Sequence, residues 1–287
     1  AVSFAHVAFP NTTYEEFVVT DTHVGKIKGY RENGVNIFKG IPYAGKVSGE
    51  RRFRRPAPLE AWEGVKDTLT LGAPAIQTPR RNEPAPSEDC LFLNIWTPET
   101  KPSKKQAVLV YIHGGGFVEG SGGVDVYDGE ELAKKGIVVV TVNYRLGVFG
   151  FLAHPELSAE SPHGVSGNYG ILDQLAALQW IKKNIAAFGG DPSRVTIAGQ
   201  SAGASSVNAL IMAPQAAGFF HRAITESGTK FSTGAQTIPS LSDAEKLGLK
   251  YAQAKGAKSI AQLRAMSSEQ LMKPDTTKPQ IRFGRVI

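Results

Sequence analysis

The chain has 287 residues, 41% of them hydrophobic and 20% charged, which suits a globular protein of one large α/β domain or two small ones. Its net charge of +6 is thinly spread, and no apolar run approaches the ~18 residues of a membrane-spanning helix. The single cysteine excludes a disulfide within the chain, and no Cys/His spacing suits zinc.

Val18 to Lys28 and Val35 to Lys39 read as strands of an N-terminal hairpin or meander, with Asn33-Gly34 as a turn. Residues 45 to 89, rich in Pro, Gly and charge, are expected to be a long surface excursion with little regular structure. Its densest run, Arg51-Arg52-Phe53-Arg54-Arg55, reads as a solvated or salt-bridged loop. No nucleic-acid module accompanies it, so no nucleic-acid partner is expected. Leu91 to Trp96, Val108 to Ile112, Ile137 to Val142, Val195 to Ala198 and Arg222 to Thr225 are candidate buried strands. Helical stretches lie between several of them: Gly129 to Lys135, Gly170 to Phe188 and Ala202 to Met212. Alternation of this kind predicts an α/β fold, a mostly parallel twisted sheet with helices on both faces. Beyond Ser240 the chain turns polar, with helices expected over Ser242 to Ala254 and Ser259 to Met266, capped by Ser242 and Ser259. About 240–287 reads as the start of a cap or helical region.

Chemistry concentrates at two places. Val195 to Ala198 runs into Gly199-Gln200-Ser201-Ala202-Gly203, a G-x-S-x-G element between a strand and a helix. A serine on such a sharp turn projects its hydroxyl, and neighbours without bulk let the turn close and substrate approach. Val108 to Ile112 runs into His113-Gly114-Gly115-Gly116-Phe117. Glycines after a buried strand can turn N–H groups inward toward a developing oxyanion, each donor being worth on the order of 3 kcal/mol of barrier. The predicted roles are therefore Ser201 as nucleophile, with Gly115, Gly116 and Ala202 as oxyanion donors and Gly199, Gln200 and Gly203 in support. Glu226-Ser227-Gly228 follows the next strand, at the end where ligand-facing groups gather in open α/β sheets. Glu226 and Ser227 are therefore candidate supporting residues, although a simple strand-end turn accounts for them equally well.

Phe188 to Gly203 resembles the serine signature of the type-B carboxylesterase/cholinesterase family throughout. Glu88-Asp89-Cys90-Leu91-Phe92-Leu93-Asn94-Ile95-Trp96-Thr97-Pro98 is similar to its second signature, with Phe92 where Tyr or Thr is usual. Lys39 to Ala44, Asn143 to Gly147, Gly167 to Gly170 and Glu226 to Gly228 also resemble family landmarks, so the likeness runs from about Val18 to the last residue. It implies an α/β-hydrolase fold and a serine hydrolase of small carboxylic esters that uses no cofactor and no metal. It also implies that Ser227 helps hold the other triad members. In the family the cysteine of this second signature is often bridged to an earlier one. Ala75 stands where that partner would be, so Cys90 is expected to be a buried free thiol. The cholinesterase branch carries a cation-binding Trp between these positions. No aromatic residue occurs here between Ala75 and Cys90, so neutral apolar or aryl esters are the expected substrates.

A catalytic serine needs a base, and the base needs an orienting acid, in the chain order Ser, Asp or Glu, then His. The only histidine after Ser201 is His221, and residues 202–220 hold no acid. The resemblance likewise places the acid, usually Glu, and the histidine after later strands. The expectation is that residues 1–287 are the N-terminal portion of a single α/β-hydrolase domain, completed by the remainder of the same protein. The alternatives are a short form using another base, and a non-catalytic binding or adhesion scaffold. His113 is expected to shape the glycine loop, His154 and His163 to be exposed, and His221 to be structural. The start at Ala1-Val2-Ser3 and the sequon Asn11-Thr12-Thr13 suggest a secreted or periplasmic protein, with the cytoplasm as the alternative.

Overall fold

The structure is a computed structural model and describes residues 16–228, 238–274 and 283–285. His6 and the Asn11 sequon lie outside the described residues. Among the described residues, nine strands form one sheet: β1 (Glu16–Thr22), β2 (Gly25–Glu32), β3 (Val35–Pro42), β4 (Val65–Asp67), β5 (Phe92–Thr97), β6 (Gln106–Ile112), β7 (Ile137–Val142), β8 (Gly190–Gln200) and β9 (Arg222–Glu226). Their order is β1-β2-β3-β5-β7-β6-β8-β9, with β4 beside β2. The half formed by β7, β6, β8 and β9 is parallel. Strands β1, β2, β3 and β5 join by antiparallel pairing and meet the parallel half where β5 pairs with β7. Central parallel strands must bury both faces, which is why β7 reads Val138-Val139-Val140-Thr141-Val142 with every one of these residues buried.

The helices are α1 (Glu130–Ala133), α2 (Gly147–Phe151), α3 (Pro155–Glu160), α4 (Tyr169–Asn184), α5 (Ala202–Met212), α6 (Leu241–Ala254), α7 (Ile260–Ala265) and α8 (Ser268–Met272). Ala133 of α1 packs with Trp96, Val139 and Ile37 on one side of the sheet. Leu175, Leu178 and Ile181 of α4, and Val207 and Leu210 of α5, pack with Val138, Val140, Val110 and Ile197 in the main core. A fork of hydrogen bonds pins α4 to the loop after β7: Arg145 Nε and Nη2 donate to the two Asp173 carboxylate oxygens at 2.8 and 2.7 Å, fully buried.

The structure corrects several expectations. Val18 to Lys28 is two strands, because the chain turns at His23-Val24, where Thr22 Oγ1 donates to the Gly25 carbonyl at 2.6 Å. Residues 45–89 are no mere surface excursion, since Val47, Phe53, Thr68, Ala75 and Gln77 are buried. Their backbone polar groups are satisfied locally, as where the Asp89 carboxylate accepts from the N–H groups of Val47 and Ser48. Arg52 is buried rather than solvated. Its guanidinium pairs with Glu88 and donates to the carbonyls of Leu263, Arg264 and Met266 at the end of α7. Ser240, not Ser242, caps α6, its hydroxyl accepting from Asp243 N. Ser259 caps α7 as expected, and α8 is an additional helix closed by a capping box of Ser267 and Gln270. Cys90 is a buried free thiol, and burial pushes its pKa up.

Candidate active site

Strand β8 stops at Gln200, and α5 starts at Ala202. Between them Ser201 adopts φ 56 and ψ −120, a conformation rarely open to a residue with a Cβ. The turn is held from both sides, as Ser201 N donates to the Glu226 carbonyl and Ser205 N to the Ser201 carbonyl, each at 2.9 Å. The serine hydroxyl makes no capping bond to the helix behind it. Two glycines set how tightly the turn closes. A Cβ on Gly199 would lie 2.5 Å from the Gly203 backbone, and a Cβ on Gly203 would lie 2.0 Å from the Ile112 carbonyl oxygen. The first turn of α5 thus rests directly on the end of β6.

That contact brings in the glycine loop. A Cβ on Gly114 would stand 3.3 Å from the Ser201 Cβ, and also against the carbonyl and Oε1 of half-buried Gln200. Gly115 at φ 107 and Gly116 at φ 63 turn the chain sharply. Among the described residues, no acceptor is found for the N–H groups of Gly115, Gly116 or Ala202. Ser227 stands at φ 55 just past β9, exposed, while the Glu226 backbone supports the serine turn.

The loop is clamped from behind. Buried Gln77 donates from Nε2 to the Gly120 carbonyl and accepts at Oε1 from Gly120 N, both at 2.8 Å. Asn143 Oδ1 accepts from Gly122 N at 2.8 Å, and Ser121 bonds the Glu83 carboxylate. Tyr144 stacks on His113 with centroids 4.4 Å apart and donates to its carbonyl at 2.8 Å. The clamp residues Gln77 and Glu83 were not legible, because each is an isolated polar residue in a Pro- and charge-rich stretch without periodicity.

The described histidines supply no base for Ser201. His113 Nδ1 lies 2.7 Å from the Gly114 carbonyl, which can only accept, so Nδ1 carries the proton. Burial lowers its pKa to about 4, so the ring is neutral and shapes the loop, as expected. His221 Nδ1 accepts from Val195 N, six residues back along β8 and so about 20 Å from Ser201 at ~3.3 Å per residue. His23 is bonded to Asn184. The exposure expected for His154 is corrected: it is buried and caps α3 by accepting from Glu156 N. His163 is exposed as expected.

A serine on a strained strand-to-helix turn, set against a glycine loop at the C-terminal ends of parallel strands in a sheet covered on both faces, defines the α/β-hydrolase class. The sequence model of the carboxylesterase family matches residues 16–286, and the chain belongs to that family. It is 44% identical over 275 residues to a fumonisin B1 esterase of Sphingopyxis macrogoltabida, covering 91% of this chain and 50% of that protein. It is 43% identical over 264 residues to a para-nitrobenzyl esterase of Bacillus subtilis (strain 168), covering 89% and 52%. The crystal structure of the Geobacillus stearothermophilus carboxylesterase EST55 at pH 6.2 superposes with a TM-score of 0.80 at 44% identity, covering 88% of this chain and 52% of that one. The chain therefore spans about half the length of the curated relatives it matches.

Proposed function

We propose that the protein is a serine hydrolase of carboxylic esters and that Ser201 is its nucleophile. The observation that carries this is the strained Ser201 turn seated against Gly114, with the N–H groups of Gly115, Gly116 and Ala202 lacking acceptors among the described residues. Ser201 Oγ attacks the ester carbonyl carbon, and the oxyanion that forms is held by those N–H groups. A histidine takes the serine proton and delivers it to the departing alcohol, leaving an acyl group on Ser201 that water then removes. That histidine and its orienting acid are assigned outside residues 1–287, since no described histidine reaches the serine and the remaining one, His6, precedes Ser201 against the order Ser, acid, His. Neutral apolar or aryl esters are the proposed substrates. They are in keeping with the named esterase relatives and with the lack of an aromatic cation site between Ala75 and Cys90.

The test is a fluorophosphonate probe on the full-length protein, read by peptide mass spectrometry, with Ser201→Ala alongside. Labelling at Ser201, and its loss with p-nitrophenyl ester turnover in Ser201→Ala, is the expected outcome. Turnover that survives near the parent rate in Ser201→Ala removes the serine from this role. Absence of both labelling and turnover in the parent leaves a binding scaffold.

A further inference from the structure

The run Arg51 to Arg55 has no part in the ester chemistry, yet it is built into the fold. Gly49–Arg51 forms a single 3-10 turn, and buried Phe53 follows at φ 58. A bulky residue in the left-handed region is strained and calls for an explanation. With Phe53 in this conformation, Arg52 points inward to Glu88 and the end of α7. Arg51, Arg54 and Arg55 instead line a cleft of about 700 Å³, large enough for a small organic ligand. None of the Ser201 site residues lines it.

The cleft combines two surfaces. Its accessible apolar floor is Leu172, Pro162 and Val165, underlain by buried Phe53, Leu157 and Tyr169. Its acid, Glu160, is already engaged, because Arg264 donates to both carboxylate oxygens at 2.7 and 2.8 Å, and this pairing holds the Glu160 carboxyl below its ordinary pKa. Arg54 reaches the same carboxylate only at 3.4 Å, and Arg51 and Arg55 make no salt bridge among the described residues. The rim is therefore net cationic beside an apolar floor. An inorganic anion would leave the floor uncovered, and an alcohol would leave the guanidinium groups without an acceptor.

We propose that this cleft binds a medium-chain carboxylate, its headgroup held by Arg51, Arg54 and Arg55 and its alkyl chain laid over Leu172, Pro162 and Val165. The inference is independent of the ester chemistry. The test is calorimetric titration of the full-length protein with decanoate, decanol and inorganic phosphate, for the parent and for Arg51→Ala/Arg55→Ala. Both arginines are exposed, so the double variant should keep the parent's unfolding temperature. Decanoate should bind more tightly than either comparison compound. The double variant should weaken it by about tenfold or more while leaving decanol unchanged. A second variant, Val165→Glu, places a like charge on the exposed floor of the cleft and should weaken decanoate as well. Equal decanoate affinity in parent and variants would overturn the proposal. So would phosphate binding as tightly as decanoate, or no decanoate binding at all because other parts of the full-length chain fill the cleft.

Discussion

The serine turn stores strain that two substitutions can separate from the chemistry. Ser201 holds φ 56 and ψ −120, for which a residue with a Cβ is destabilised by on the order of 1–3 kcal/mol. Ser201→Gly removes the Cβ and with it that strain. Glycine's extra freedom in the unfolded chain offsets about 0.5–1 kcal/mol of the gain. A net stabilisation of about 1 kcal/mol is expected. Ser201→Ala deletes the same hydroxyl but keeps the Cβ. The hydroxyl makes no capping bond, so alanine should match serine in stability. Both variants should be inactive. The assay is urea unfolding of the full-length protein and both variants, comparing midpoints at equal slope so that the difference reports stability. A Ser201→Gly protein no more stable than Ser201→Ala would mean that the turn carries no conformational cost, and the strain argument would fail.

The remaining predictions follow from the same geometry. Gly115→Val places a Cβ only 2.0 Å from the Glu119 carbonyl oxygen, so p-nitrophenyl ester turnover should fall by on the order of a hundredfold with a smaller change in KM; unchanged turnover would leave the loop a mere turn. Gln77→Leu strips both bonds from Gly120, and kcat should fall on the order of tenfold as the loop shifts; a parent-like kcat would show that the clamp does not position the loop. His113 is held neutral with its pKa lowered from 6.5 to about 4, so its contribution is fully present above pH 6.5 and about 3 kcal/mol is lost as the pH falls toward 4. A His113→Gln variant should show a shallower decline of unfolding free energy across that window, and an identical decline would refute the assignment. Residues 1–287 expressed alone should self-associate, because β9 presents an exposed edge with Ile224 46% accessible; a monodisperse monomer on size exclusion would count against that.

The parallel half of the sheet was legible because its residues are constrained twice. Val108 to Ile112 and Ile137 to Val142 fall within β6 and β7, since strands covered on both faces leave continuous apolar runs. The serine turn was legible for the same reason, its small residues being fixed by close approaches to Ile112 and Gly203. Arg222 to Thr225 does form β9, but the burial expected for it is corrected: the strand lies at the edge of the described sheet and its residues are exposed or half-buried. The antiparallel edge was read less well. The turn at His23-Val24 holds no Gly-Asn type pair and is fixed by Thr22 and by Asn184, which lies far along the chain. The buried character of residues 45–89 was hidden because it comes from tertiary pairing, such as Arg52 with Glu88 and with carbonyls more than two hundred residues away. The capping box at Ser267 and the helix α8 behind it were missed, because Ser267-Ser268-Glu269-Gln270 offers only a short spacing signal with no apolar periodicity beside it.

The topology also constrains where a base can come from. Strands β7, β6, β8 and β9 run parallel, so their C-terminal ends lie together on one side of the sheet. The Asn143–Arg145 segment, the glycine loop, Ser201 and Glu226-Ser227 each leave one of those ends. His221 precedes β9 and so lies on the other side, where a side chain cannot span the length of a strand. His113 leaves the correct end, but its ring is stacked under Tyr144 and its Nδ1 proton is committed to Gly114. A histidine working within hydrogen-bond reach of Ser201 Oγ, about 2.6–3.2 Å, must therefore approach across the face that these four strand ends share. The described sheet ends in two unpaired edges, β1 and β9, and of these only β9 belongs to the parallel half. The proposed nucleophile and the proposed oxyanion donors thus share one end of the sheet because of one parallel register, and a single reversed strand among the four would separate them.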